Sequence, residues 1–149
     1  MAGKIIALVG CVKSKQAGRH EARDLYDSAL FKYSRSYAEA NSDMWFILSA
    51  KHGLVNPTDS IDSYEDTLIG KSPMAKQEWA RRVHQKLKDL GLDDPENTVL
   101  WLAGKDCKQP LAYMIACRQR DPLDGLMQAP RIAWLKANTT GEVVEAGRK

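Results

Sequence analysis

Apolar residues in this chain fall into short dense runs, separated by stretches in which they recur at helical spacing. Lys4–Val9 (KIIALV) is a compact run that predicts a buried strand. Met44–Ser49 (MWFILS) and Thr98–Ala103 (TVLWLA) predict two more. Between the first two, Leu25–Ala40 reads as a helix, with Leu30, Phe31, Tyr33, Tyr37 and Ala38 supplying its apolar faces. The next helix carries its own end signals. Ser72 is an N-cap, Pro73 takes the first helical position, and Gly91 follows as a C-terminal cap. Within it Trp79, Val83, Leu87 and Leu90 recur at helical spacing, and Arg81, Arg82, Lys86 and Lys88 take the other faces. Leu111–Arg118 predicts a further helix, and Arg131–Lys136 a last short helix or strand. Ala50 to Lys71 has little periodicity and reads as a long connection, either functional or carrying short elements of its own.

Strands alternating with helices predict an α/β fold: a single domain over residues 1–137, with a small, mainly parallel sheet flanked by helices. The polar stretch 138–149 reads as a flexible tail. In open sheets of this kind, ligands bind beyond the carboxyl ends of the strands. The three strand ends carry similar residues. The first gives Gly10, Cys11, Lys13, Ser14 and Lys15; the second Ser49, Lys51, His52 and Gly53; the third Gly104, Lys105 and Asp106. Glycines let a ligand approach the backbone closely, and lysines with backbone N–H groups suit an anion. On one shared edge, Lys51 and His52 would line a pocket with the loop from Gly10 to Lys15.

Composition narrows the class. At 149 residues, with 44% hydrophobic and 28% charged positions, the chain has the profile of a water-soluble domain. No apolar run approaches the roughly 20 residues that cross a bilayer, so no membrane partner is expected. "MAGKIIALVG" reads as a first strand rather than a signal peptide, and the expected compartment is the cytoplasm. Three widely spaced cysteines, Cys11, Cys107 and Cys117, suggest neither a disulfide framework nor zinc. A net charge of +3 permits nucleic-acid binding without demanding it.

"GCVKSKQAG" is neither a P-loop nor a GxGxxG fingerprint, and no GxSxG elbow is present. His20, His52 and His84 lack metal-ligand spacing, so neither metal nor cofactor is expected. His84 reads as a solvated helix residue and His20 as a surface residue. His52, between a strand and a glycine, has either a site role or a structural hydrogen bond. Carboxylates gather in the long connection: Asp59, Asp62, Glu65 and Asp66. A general acid or base can come from this set. Tyr64, among them, either stacks on a base or anchors the loop in the core. Tyr26 and Phe31 read as core contacts. Cys11 reads more readily as a structural cysteine at a strand end than as a nucleophile activated by Lys13 or Lys15.

Four stretches carry a family resemblance: "GCVKSK" with "ARDLYDSALF", "WFILSAKHGLVNPTDSIDSYEDTL", "WLAGKDC" and "PLDGLMQAPRIAWLK". Through them the chain resembles the YaaA-like proteins, and especially a small branch, common in bacteria and phages, known only as a domain of unknown function. Members of that branch often have Cys-Ser-Lys after the first strand; here the run is Cys11-Val12-Lys13-Ser14-Lys15, with one extra spacing. The resemblance implies a link to DNA and oxidative stress, a positively charged cleft, and remotely a uracil-DNA-glycosylase-like fold. A glycosylase wants a water-positioning Asp or Asn after the first strand. "CVKSKQAG" has none, so the acid would come from the Asp59–Asp66 loop.

The leading expectation is an enzyme acting on a flipped base in DNA, modified or unmodified, by N-glycosidic chemistry. Asp62 or Glu65 would be the catalytic carboxylate and His52 would hydrogen-bond the departing base. Tyr64 would stack on it, and Lys13, Lys15 and Lys51 would hold phosphates. One alternative is a non-catalytic DNA-binding stress protein with a basic cleft; another is an enzyme acting on free nucleotides.

Overall fold

A computed structural model describes residues 3–10 and 15–143, the last five as backbone alone. In chain order the elements are β1 (Ile5–Gly10), β2 (Arg19–Glu21), α1 (Ala22–Leu25), α2 (Ala29–Asn41), β3 (Met44–Ser49), β4 (Gly53–Val55), β5 (Ser60–Asp62), α3 (Pro73–Asp89), β6 (Thr98–Leu102), α4 (Lys105–Ala112), β7 (Arg118–Arg120) and α5 (Gln128–Val143).

Strand β1 explains the continuous apolar run that opens the chain. Ile6, Ala7, Leu8 and Val9 have no exposed surface, as expected of a parallel strand covered on both faces. It pairs in parallel with β3 on one side and β6 on the other, Gly10 opposite Leu48 and Val9 opposite Leu102. The sheet order is β4-β3-β1-β6-β7, with β4 the one antiparallel member. A separate ribbon pairs β2 with β5. Alternate residues of β1 face opposite layers. Ile6 and Leu8 pack with Trp79, Val83 and Leu87 of α3 and Leu111 of α4. Ala7 and Val9 pack with Leu25 of α1, Phe31 and Tyr37 of α2, and Leu135 of α5. The chain therefore leaves β1 toward one face and β6 toward the other.

Local signals placed α3 closely. Ser72 Oγ accepts from Ala75 N at 3.1 Å, with Pro73 at the first position. Gly91, at φ +73°, ends the helix. Leu92 N donates to Leu87 O and Gly91 N to Lys88 O, both at 2.9 Å, which satisfies the last carbonyls in the pattern of a left-handed cap. Leu90 is 49% exposed, whereas Leu92 is buried with Leu87. The turn moves the next apolar residue onto the core, so Leu92 fills the place that spacing gave to Leu90.

Other boundaries differ from the pattern. The helix read over Leu25–Ala40 is two helices. Tyr26 is extended, and Ser28 caps a new start by accepting from Phe31 N at 3.1 Å. The long connection holds a hairpin, in which Ser49 pairs with Gly53 (φ +75°), and then β5. The helix read over Leu111–Arg118 instead begins at Lys105 and ends at Ala112, and Arg118 opens β7. Those residues are apolar because Ile115 and Cys117 are buried under α3 and the sheet, not because a helix continues. The short element read at Arg131–Lys136 is part of α5, which runs to Val143. Residues 144–149 lie outside the described residues.

His84 is not the solvated helix residue its charged neighbours suggested. Its Nε2 donates to Asp93 Oδ2 at 2.7 Å, and the two side chains are 18% and 6% exposed. Asp93 Oδ1 accepts from Ala116 N at 2.6 Å, so the pair ties the end of α3 to the segment before β7. Burial pushes the Asp93 carboxyl up, but the bonds from His84 and Ala116 outweigh it and hold the carboxyl below its ordinary range.

Two predictions follow from these turns. Replacing Gly91 with Ala puts a Cβ in the left-handed region and should cost roughly 1–2 kcal/mol, read from chemical denaturation with an unchanged circular dichroism spectrum. Because the folded Asp93 carboxyl is depressed, its stabilisation is present above the unfolded value and is lost as pH falls. The Asp93→Asn variant should thus be less stable than wild type at neutral pH, and the gap should narrow between about pH 5 and pH 2.

Candidate functional site

The carboxyl ends of β1 and β6 form a crevice. At its centre lies a cavity of about 110 Å³ lined by Gly10, Ala50, Thr67, Leu68, Ile69, Gly104, Asp106 and Cys107. A hollow of about 50 Å³ shares Gly10 and Gly104 with it and adds Ser34 and Arg131. A wider one of about 290 Å³, lined by Lys105, Lys108, Tyr113 and Asp121 among others, shares Ala103 and Arg131 with the second. Gly10 is required by close approach: a Cβ there would sit 3.1 Å from both Cα and Cβ of Ala103. Gly104 is open, with nothing within 4 Å of the place a Cβ would take.

Behind the hairpin turn lies a buried polar network. Ser49 Oγ donates to Tyr64 Oη at 2.7 Å and accepts from His52 N at 3.0 Å. The Tyr64 and Tyr26 hydroxyls share a bond of 2.6 Å. Trp79 Nε1 donates to Ser49 O at 2.8 Å. The Lys15 ammonium lies 4.5 Å from the centroid of the Tyr64 ring, and the His52 ring meets that ring edge-on at 5.3 Å. Burial, and then the charge of Lys51, lower the His52 pKa, so its imidazole is neutral at neutral pH. Asp66 forms an ion pair with Lys71 at 2.9 Å. The hydrogen bond from Lys71 holds its carboxyl below the usual range; burial opposes this, and Thr67 N with the charges of Lys71 and Lys51 adds to it.

These positions place the predicted residues unevenly. Cys11, Lys13 and Ser14 lie outside the described residues. Gly10, Ala50, Gly104 and Lys105 come together along one edge, as the topology required. Lys51 and His52 sit exposed at the tip of the hairpin, next to Ala50, and Gly53 is buried in β4. Lys15 and Ser49 join through Tyr64, which is 6% exposed and enclosed by its neighbours. Asp62 lies on the ribbon, 69% exposed and 3.1 Å from Arg19, and Glu65 is exposed. Asp66 is the loop carboxylate that directly precedes the cavity-lining run Thr67–Ile69. Arg131 lies in one of the stretches that carry the family resemblance, but no local pattern marks it, or Ser34, as a site residue; only the fold brings them to Gly10. Among the described residues no group of three or more His, Cys, Asp or Glu is placed to hold a metal ion, and no helix is long and apolar enough to cross a membrane.

Counting the parallel strands in chain order, the sheet runs second, first, third, fourth. This is a doubly wound α/β domain with its crevice where the winding reverses, the position at which such sheets bind ligands. The chain belongs to the family of unknown function DUF6884, whose model matches residues 6–137. It is also similar to the uncharacterized protein YfjM of Bacillus subtilis (strain 168), being 32% identical over 125 residues that cover 78% of this chain and 80% of that protein.

The network predicts a stability effect. Tyr64→Phe removes the hydroxyl that joins Ser49 to Tyr26 and leaves buried polar groups short of a partner. It should cost about 1–3 kcal/mol, measured by urea denaturation, whereas an exposed change such as Lys88→Ala should cost well under 1 kcal/mol.

Proposed function

We propose that the protein acts on a nucleobase, and most directly that it cleaves the N-glycosidic bond of a base in DNA. The observation that carries this reading is the crevice at the switch point. There the glycine backbones of two strand ends and the Thr67–Ile69 run line a small cavity; the ionised Asp66 directly precedes that run, and His52, a neutral imidazole, follows the lining Ala50 by two residues. The resemblance to YaaA-like proteins supports a nucleobase as the target.

The chemistry needs opposite helpers at its two ends. As the C1′–N bond breaks, the electron pair leaves with the base and positive charge builds on the sugar. Water then adds its oxygen to C1′, and its proton balances the base. An ionised Asp66 would stabilise the sugar cation and orient that water, and His52 would donate to the departing base, with Lys51 adding charge nearby. A duplex substrate would have to present its base flipped out of the stack. A second reading, an enzyme on free nucleotides, rests on the wider hollow of about 290 Å³ that adjoins the crevice, where Lys105, Lys108 and Arg131 offer cations to a phosphate.

The test is release of free base, followed by chromatography, from DNA carrying unmodified and modified bases. Wild type should release base, and Asp66→Asn should lower the rate by roughly 10²–10³-fold with an unchanged melting curve. Asp62→Asn and Glu65→Gln, measured in parallel, show which carboxylate of this loop carries the role. No release from any DNA, alongside tight binding that weakens steeply with salt, would make the protein a DNA-binding module instead. Turnover of free nucleotides alone would establish the second reading.

A further inference from the structure

We infer that Arg131, with Lys105, forms a phosphate-binding subsite in the crevice and holds the phosphate attached to the substrate's sugar. This rests on the crevice being the substrate site proposed above. Arg131 lines both outer hollows, one with Gly104 and the other with Lys105. Its side chain is fixed from behind by backbone alone: Nε donates to Leu126 O at 2.8 Å and Nη1 to Ala103 O at 3.3 Å. Neutral carbonyls orient the guanidinium without cancelling its charge.

Two of the three acids nearby are held in short ion pairs, and the third, Asp124, is 80% exposed and lies 3.9 Å from the Lys108 that also holds Asp121. Asp106 is paired with Lys76 at 2.6 Å and Asp121 with Lys108 at 2.7 Å. Among the described residues, neither Arg131 nor Lys105 has a carboxylate within ion-pair distance. Two cations, one of them pre-oriented, therefore face the wider hollow, and with Lys108 they set three positive charges against the two carboxylates that line it, Asp121 and Asp124. Gly104, which precedes Lys105 and lines a hollow with Arg131, presents bare backbone. A planar guanidinium with several donors left matches a phosphate group, and a lysine adds charge. The phosphate can belong to a free nucleotide or to a DNA backbone, and the probes below separate the two.

Binding would be measured by calorimetry with the four 2′-deoxynucleoside 5′-monophosphates, the matching nucleosides, and a short single-stranded DNA. In wild type a phosphate-bearing probe should bind at least about tenfold more tightly than the nucleoside. Arg131→Ala should erase most of that ratio, Arg131→Lys should keep part of it, and Lys105→Ala should reduce it, with nucleoside binding unchanged. Should Arg131→Ala melt early through loss of its two carbonyl bonds, Arg131→Lys and Lys105→Ala still decide. Loss seen with the monophosphates places the phosphate on a nucleotide; loss seen with the DNA alone places it in a strand backbone. The subsite is overturned if both folded variants bind every probe like wild type, or if wild type shows no preference for phosphate. Base release by wild type that Arg131→Lys leaves unchanged would sink the subsite and keep the glycosidic reading. A lost phosphate preference in a protein that releases no base would do the reverse.

Discussion

Strand β1 is hydrogen-bonded on both edges and covered on both faces, and the rest of the molecule is arranged around that burial. A strand with no exposed side chain from Ile6 to Val9 needs a helical layer on each side. The chain supplies them by turning one way after β1 and the other way after β6. The elements that follow β1 and β6 lie on opposite layers, and at the two adjacent strand ends Gly10 and Gly104 add no side chain to the space between them. The crevice is thus a consequence of how the core is covered, and its position does not depend on the chemistry that uses it.

The hairpin between β3 and β4 links this gap to the core. Ser49 has no exposed surface, yet its hydroxyl, its carbonyl and the hydroxyl of Tyr64 are all satisfied. A buried network that is fully paired is stiff, since breaking any member strands the others in a low-dielectric interior. The exposed tip at Lys51 and His52 therefore stands on a rigid base. Tyr64 also anchors the loop that carries Asp66 and the lining run Thr67–Ile69. One tyrosine positions two sides of the candidate site, which is why it is buried rather than open for stacking.

Legibility followed the range of the interactions. The start and end of α3 were readable because Ser72, Pro73 and Gly91 act on backbone groups within four residues of themselves. The strands were readable because burial on two faces leaves unbroken apolar runs. Tyr26 looked helical because its apolar spacing continues into α2; its extended backbone depends on a bridge to Lys15 and a hydroxyl bond to Tyr64, distant in sequence. His84 looked solvated because its partner, Asp93, lies beyond a turn whose geometry only Gly91 makes possible.

The sequence alone determined that a parallel α/β sheet forms and that its glycine-bearing strand ends meet on one edge, since strand periodicity and chain order leave few other arrangements. It did not decide which polar residues stand at that edge. Asp62 and Asp66 are equivalent in composition, but pairing of β5 with β2 turns one toward Arg19 and solvent, while the loop after Tyr64 brings the other beside Lys71 and the cavity. Arg131 reaches the same crevice from the far end of the chain because α5 packs on the β1 face, next to α2. Contacts of that range are set by how layers pack, and no local pattern encodes them.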